Sequence, residues 1–257
     1  HLVMAEDFPK YISDSQFDGL GENYNMIFTD GVYTGGKGWG SGPSSMLRII
    51  GSDFTNYLGK AVHVAQGRAA IVNCSFTSTL RDGIVSDPDK TAVGVFADPD
   101  TRVDVRGGVF TGNDIAIDIN DGELDLGHPS KSFDGTRVEE PVLENNVIGV
   151  FINQGTAKIT YSKLLGNDAG VFSLDGTLEL DQNSDVTIQD NKYGLILSGV
   201  ARAWKGINRF IDNEVDLYFL VREGDSQVFD FQCNYWRNAS GEGNPTIEYN
   251  PDVPDAD

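Results

Sequence analysis

The 257-residue chain has little cysteine, few basic residues and no long apolar run. Two cysteines are too few for the disulfide frameworks that hold small secreted domains together. Because no stretch of 18 apolar residues is present, the sequence predicts no membrane-spanning helix. The first residues do not read as a secretory leader, and we expect the chain to be part of a longer protein with other domains.

Positively charged residues are scarce in the chain. The chain carries 39 acidic residues against 19 Lys and Arg, for a formal charge of −20 at pH 7. A field of this sign repels nucleic acid and anionic membranes, so neither is expected as a partner. Bound cations, a neutral polymer or a salty medium suit the charge better. Acidic side chains that only hydrate a long surface explain it equally well.

Helical periodicity is also hard to find, whereas one short motif recurs. In this motif an apolar residue is followed, three positions later, by Asn. The five pairs are Phe110 and Asn113, Leu143 and Asn146, Leu164 and Asn167, Ile188 and Asn191, and Phe210 and Asn213. With looser versions at Phe54 and Phe76, successive apolar positions are 22, 34, 33, 21, 24 and 22 residues apart. The repeat unit is therefore 21–24 residues, and two units carry insertions.

Each unit reads as a short strand, an Asn-containing turn and a second short strand. The strands alternate with a period of two, as at Ile115, Ile117 and Ile119. Thirty glycines and many Asn and Asp residues supply the turn conformations that tight corners need. One strand pair of this size cannot bury its apolar face alone, but stacked pairs can. The sequence therefore predicts an all-β solenoid.

The repeats resemble the right-handed parallel β-helix of the pectate-lyase-like superfamily over nearly the whole chain. The segment "DFQCNYWRNASGEGNP" (230–245) is similar to the closing segment of many secreted β-helices, with Arg237 where Gly is common. The resemblance implies about eight to nine coils, with the turn Asn of each coil bonded to the Asn of the next. We expect one domain over 1–246 and an acidic tail or linker over 247–257.

A search for catalytic motifs does not decide whether the chain is an enzyme. The polygalacturonase branch carries an Asp-Asp pair, a Gly-His-Gly and an Arg-x-Lys, and none of these occurs in the chain. The nearest match is Gly127-His128-Pro129, which lacks the second Gly. The pectate-lyase branch uses calcium-binding acids and a basic residue, and its sequence signature is weak. A polysaccharide lyase therefore remains the enzyme alternative.

Two loop insertions, near 86–102 and 120–137, are the expected place for a ligand site. We expect them to meet on one side of the solenoid, because they fall on adjacent coils. Their carboxylates suit calcium, which prefers oxygen ligands. His128 and Arg137 are candidate contacts for a sugar. Alternatively, the acids are ordinary turn formers. The predicted calcium ligands are Asp98, Asp100, Asp118, Asp121 and Asp125.

A column of outward side chains is the second predicted feature. If the coils are aligned on the turn Asn, the residues two positions further on should point inward; these are Ile115, Ile148, Ala169, Tyr193 and Val215. The residues three positions beyond those should point outward, and they form the outer column: Asp118, Phe151, Phe172, Ile196 and Tyr218. Exposed aromatic rings can stack on sugars. Alternatively, residues 120–141 or another domain cover the outer column.

These features predict a secreted or cell-surface β-helix domain that binds a polysaccharide or cell-surface glycan, with calcium as a possible cofactor. Phe151, Phe172, Tyr218, His128 and Arg137 are the predicted sugar contacts. The main alternative is a structural stalk or adhesin segment whose repeats only provide length and rigidity. A lyase-like enzyme is the third reading.

Overall fold

A computed structural model describes residues 2–3, 11–18, 27–29, 46–79, 91–127, 138–180, 184–198, 207–220, 234–238, 241–242 and 244–250. All regular elements in these ranges are β-strands, and they form three sheets. The strands of sheet 1 are Leu2–Val3, Ile27–Thr29, Gly59–Val64, Ala92–Ala97, Ile115–Asn120, Ile148–Asn153, Ala169–Leu174, Tyr193–Ser198, Val215–Leu220 and Ile247–Asn250.

The other two sheets are built from shorter strands. The strands of sheet 2 are Tyr11–Ser13, Met46–Ile50, Arg68–Val72, Arg102–Arg106, Glu123–Leu126, Thr156–Ile159 and Thr177–Glu179. The strands of sheet 3 are Gln16–Asp18, Asp53–Thr55, Ser75–Thr77, Val109–Thr111, Val142–Glu144, Lys163–Leu165, Thr187–Gln189, Arg209–Ile211, Tyr235–Asn238 and Gly241–Glu242.

As far as Glu179 the described strands follow a fixed order, from sheet 3 to sheet 1, then to sheet 2 and back to sheet 3, whereas the described strands after Glu179 belong to sheets 3 and 1. Neighbouring strands in each sheet come from successive coils and pair in parallel, as in the register Phe54–Phe76–Phe110. Among the described strands, one pair is antiparallel, Tyr235–Asn238 with Gly241–Glu242. The ten strands of sheet 1 mark nine steps along the molecule. The predicted parallel β-helix is confirmed.

A ladder of asparagine side chains joins the coils in the interior. The Nδ2 of Asn113 donates to Oδ1 of Asn146 at 2.9 Å, and the same bond is repeated from Asn146 to Asn167 and onward through Asn191 to Asn213 at 2.9–3.0 Å. The Tyr57 hydroxyl donates to Asn113 at one end, and Asn213 donates to Asp216 at the other. Buried amides are thus hydrogen-bonded along the whole ladder.

An inner aromatic column runs beside the ladder. It consists of Phe17, Phe54, Phe76 and Phe110, whose rings stack in parallel at centroid distances of 4.8, 4.7 and 4.5 Å. In the following coils Leu143, Leu164 and Ile188 take the same register. The apolar positions that define the sequence repeat are therefore the interior residues of sheet 3.

Turns between sheet 1 and sheet 2 use left-handed backbone conformations in successive coils. Asp100, Asp121, Gln154 and Asp175 have φ values of 60°, 54°, 61° and 54°. Asp and Asn tolerate this region better than most residues because their short side chains bond locally. Two of the predicted calcium ligands, Asp100 and Asp121, thus occupy a turn position that the fold itself requires.

Each of the two predicted insertions contains a strand of the solenoid. The range 86–102 contains the sheet 1 strand Ala92–Ala97, and 120–137 contains the sheet 2 strand Glu123–Leu126. The remaining extra residues, 80–90 and 128–137, lie outside the described residues. That the two insertions meet on one side of the solenoid stays a prediction. The last strand, Ile247–Asn250, also carries the solenoid past the expected boundary at 246.

Candidate functional site

The outer face of sheet 1 carries the outer column predicted from the sequence. Asp118, Phe151, Phe172, Ile196 and Tyr218 are aligned in register across five successive strands. All five side chains are half-buried, whereas the residues on either side of Asp118, Ile117 and Ile119, are fully buried in the interior. The outward orientation of the column is therefore confirmed.

The rings of the outer column meet edge to face. Phe151 and Phe172 lie 5.3 Å apart with an interplanar angle of 62°. Tyr218 meets Tyr193 at 5.2 Å and 65°. This tilted arrangement leaves part of each ring open on the outer side, because the rings do not cover one another face to face.

A second hydrophobic cluster supports the rings from beneath. It comprises Val93, Ile115, Ile148 and Ala169, and it is separate from the interior core. The half-buried Phe151 and Phe172 pack against it. The prediction that Ile115, Ile148 and Ala169 point into the interior is wrong. Tyr193, which packs against the same cluster, is misplaced in the same way.

The cause of this error is a local break in the two-residue alternation. In the four strands that begin at Ile115, Ile148, Ala169 and Tyr193, the second residue is small, because its Cα approaches the next coil; these residues are Ala116, Gly149, Gly170 and Gly194. A Cβ on Gly149 would lie 2.5 Å from the Gly170 carbonyl oxygen, and one on Gly170 would lie 2.6 Å from the Gly194 carbonyl oxygen. Because the side chains of the second and third residues of these strands both point into the interior, the side chain of the first residue points to the outer face.

Polar side chains continue the outer face at the coils before Asp118. His63 and Phe96 are in register with Asp118, and Lys60 is in register with Val93. His63 Nε2 lies 2.7 Å from Asp98 Oδ2, and the His63 ring meets Phe96 edge-on at 5.0 Å. Lys60 Nζ lies over the Phe96 ring, 3.9 Å from its centroid. We name Lys60, His63, Phe96, Asp98 and Asp118 the anchor cluster.

Asp118 is the most perturbed acid of the anchor cluster. Its neighbours in register are Phe96 and Phe151, so the carboxyl lies between two aromatic rings. Burial raises its pKa to about 7, and the charge of Asp98 adds to the rise while Lys60 opposes it. Within the described part of the chain the Asp118 carboxyl has no hydrogen-bond partner. It is therefore a poorly solvated acceptor on an open face.

His63 is held in its neutral form near pH 7. Burial lowers the pKa of the imidazole, and the charge of Lys60 lowers it further. The hydrogen bond to Asp98 and the charge of that carboxylate act in the opposite direction without reversing the shift. An uncharged imidazole has one donor and one acceptor nitrogen, and it can take part in hydrogen bonding or proton transfer.

The five predicted calcium ligands are dispersed over two faces and a corner. Asp98 bonds His63, and Asp118 lies on the outer face of sheet 1. Asp125 lies on the outer face of sheet 2, where it pairs with Arg102. No group of three or more His, Cys, Asp or Glu suited to a metal ion is found among the residues that the structure describes. Calcium binding stays a prediction.

Two predicted sugar contacts, His128 and Arg137, lie outside the described residues. The other three, Phe151, Phe172 and Tyr218, share the outer column. The sequence reasoning missed Lys60, His63 and Phe96. Their signal was present, since the strands Gly59–Val64 and Ala92–Ala97 repeat the sheet 1 pattern, but their coils lack the turn Asn on which the units were aligned.

A polar border runs along the outer column where the strands end. Asp98 follows the strand Ala92–Ala97, and Asn120 and Asn153 end the next two strands. Asn153 Nδ2 donates to Asn120 Oδ1 at 3.0 Å, and both side chains are half-buried. The face thus combines aromatic rings with amide and carboxylate groups.

Among the described residues there is no helix long and apolar enough to cross a membrane. No protein-family model matches the chain, and comparisons with curated proteins and with solved structures gave no significant match.

Proposed function

We propose that the chain is a secreted or surface-displayed domain of the pectate-lyase-like kind that binds a polysaccharide along the outer face of sheet 1. The observation that carries the proposal is the outer column, in which half-exposed rings in successive coils lie beside a polar border. Sugar rings are apolar on their faces and polar at their edges. Tyr and Phe rings complement the faces, and amides and carboxylates complement the hydroxyls.

Charge narrows the class of glycan. The chain carries a formal charge of −20, and a uniformly acidic protein repels a polyanion over distances set by the Debye length. An uncharged polysaccharide escapes this repulsion. Calcium would matter if it bridged acidic side chains to the glycan, so binding is best measured with calcium and with chelator.

The test is a glycan-array screen followed by titration calorimetry on the best ligand. The double variant Phe151→Leu with Phe172→Leu keeps apolar packing on Ile148 and Ala169 but removes both rings. We expect it to lose most of the affinity. Tyr235→Leu is the matched control, because Tyr235 is an exposed aromatic residue on sheet 3.

Two results decide against the proposal. If the parent protein binds no glycan with or without calcium, the structural-stalk alternative is favoured. If the parent binds and the double variant binds as tightly, the outer column is not the site. Loss of binding in Tyr235→Leu would move the site to sheet 3.

Cleavage of the bound glycan is a second candidate, favoured by one observation. A carboxyl with a pKa of about 7 lies on the same face as a neutral imidazole, and such pairs suit general acid–base catalysis near neutral pH. Product analysis on any bound glycan separates the candidates. Shortened chains that disappear in Asp118→Asn favour an enzyme, and an unchanged glycan favours a binding domain.

A further inference from the structure

The outer face of sheet 1 changes character along its length. From Phe151 to Tyr218 the outer face is mainly apolar, whereas in the anchor cluster polar side chains surround the single ring of Phe96. Both parts follow the same strand register, so a ligand that lies on the aromatic rings would extend directly onto the polar part. The two parts are therefore neighbouring segments of one surface.

We infer that the anchor cluster binds one uncharged, hydroxyl-rich sugar residue next to the rings of Phe151 and Phe172. The inference rests on the proposed function, and it adds the polar contacts that fix the position of the glycan and the class of sugar accepted. Aromatic rings alone tolerate many sugars, because stacking reads little more than an apolar face. Hydrogen-bonding groups that would otherwise stay unpaired discriminate far more strongly.

The unpaired acceptor is Asp118. Its carboxyl lies between Phe96 and Phe151 and has no hydrogen-bond partner among the described residues. A poorly solvated carboxylate in this position is costly for the free protein. A sugar hydroxyl that donates to it would offset this cost, so the ligand would gain more here than at a solvated acid.

The remaining groups of the anchor cluster are already positioned. The bond between His63 and Asp98 fixes the imidazole, which lies two strands from Asp118 with Phe96 between them. Lys60 is held over the Phe96 ring, where its ammonium group acts as a donor. The cluster therefore offers both donors and acceptors, as the hydroxyls of a sugar residue require. Its side chains come from three successive strands, Gly59–Val64, Ala92–Ala97 and Ile115–Asn120, with Asp98 directly after the second.

Charge selects against acidic sugars at this point. The cluster holds two carboxyl groups, those of Asp98 and Asp118, against one ammonium group, that of Lys60. A uronate or sulfate group brought next to Asp98 and Asp118 would meet two carboxyl groups and no surplus of positive charge. An uncharged sugar carries no such penalty.

The test uses Asp118→Leu, which has a suitable volume and continues the apolar column between two phenylalanines. Because the change removes a poorly solvated carboxyl, the melting temperature should stay the same or rise, so a loss of binding cannot come from unfolding. Asp118→Asn keeps hydrogen-bonding capacity and should retain part of the affinity. Glu179→Gln, on the outer face of sheet 2, is the matched control.

Affinities are measured by calorimetry with xylo-, cello- and manno-oligosaccharides as neutral probes and with oligogalacturonate as the acidic probe. We expect the parent to prefer a neutral probe. Asp118→Leu should weaken neutral binding about tenfold, the equivalent of one hydrogen bond to a charged group. The affinity of Glu179→Gln should equal that of the parent.

The failures are distinguishable. If Asp118→Leu binds the neutral probe like the parent while Phe151→Leu with Phe172→Leu loses it, the anchor inference is overturned and the proposed function stands. A preference of the parent for oligogalacturonate also overturns it. If the parent binds no probe of either class, the proposed function fails, and the inference fails with it.

Discussion

The inner aromatic column and the outer column are built on the same coil spacing but pack in different ways. Inside, Phe54 and Phe76 stack at 4.7 Å with an interplanar angle of 1°, and both are fully buried. Outside, Phe151 and Phe172 meet at 5.3 Å with an angle of 62° and are half-buried. Parallel stacking occurs where neighbours enclose the ring on all sides. On the outer face one side stays open, and the rings tilt.

The two columns also differ in how their polar members are satisfied. In the interior, Asn167 donates to Leu143 O and Asn191 Oδ1, and its own Oδ1 accepts from the backbone and side chain of Asn146. On the outer face Asp118 has no hydrogen-bond partner in the described ranges. The repeat therefore produces a closed network inside and an open one outside, and we assign stability to the first and ligand binding to the second.

Removing an interior ring should have the largest effect on stability. Phe76→Ala is expected to lower the free energy of unfolding by about 3–5 kcal/mol, because a fully buried ring is lost from the middle of a stack. Urea unfolding followed by fluorescence or circular dichroism measures the change. A loss below about 1 kcal/mol would mean that the stack contributes little.

Breaking the asparagine ladder comes next. Asn167→Ala should cost roughly 2–4 kcal/mol, since each buried group left without a partner costs about 1–3 kcal/mol. Lys192→Ala, on an exposed side chain of the next turn, should cost less than about 0.5 kcal/mol. Equal shifts in the unfolding midpoint of the two variants would contradict the role of the ladder.

Outer rings should contribute less to stability than inner ones. Phe172→Ala is expected to cost about 1–2 kcal/mol, because the ring is half-buried on Ile148 and Ala169, and Phe172→Leu should recover most of this loss. The comparison with Phe76→Ala under identical conditions is the measurement. If Phe172→Ala destabilises as strongly as Phe76→Ala, the outer column is a structural core.

The last prediction concerns the dependence of stability on pH. The pKa of Asp118 in the folded state, about 7, lies above the ordinary value of 3.8, so the folded state holds this proton more tightly than the unfolded state does. The stabilisation is complete below pH 3.8 and is lost as the pH rises to 7. The side chain of Asp118→Asn has no proton to lose in this range. The melting temperature of the variant, relative to that of the parent at the same pH, should therefore rise between pH 4 and pH 8. A constant difference across that range would show an ordinary, solvated carboxyl.

The repeat could be predicted from the sequence because two constraints act together. The interior positions of sheet 3 must be apolar, and the next turn must supply a buried amide; Leu164 and Asn167 show both. The three-residue spacing between the apolar residue and the Asn is set by the geometry of one coil. It does not depend on contacts with residues distant in the sequence. The fold and the outward direction of Phe151 and Phe172 follow from it.

The polar part of the outer face could not be predicted in the same way. Asp98 and His63 are 35 residues apart, and their contact depends on which coils are neighbours and on the exact register. The coil of Phe54 has Tyr57 three residues later, where the motif has Asn, so alignment on Asn left this coil out. The inward turn at Gly149 and Gly170 also breaks the simple alternation, which is why Ile148 and Ala169 were misplaced.

The most direct test of the central claim is hydroxyl-radical footprinting of aromatic side chains with and without the glycan selected in the array. If the glycan lies on sheet 1, oxidation of Phe151, Phe172 and Tyr218 should fall on binding, while oxidation of Tyr235 on sheet 3 stays constant. Unchanged oxidation of all three outer rings in the presence of saturating glycan would contradict the account, as would selective protection of Tyr235.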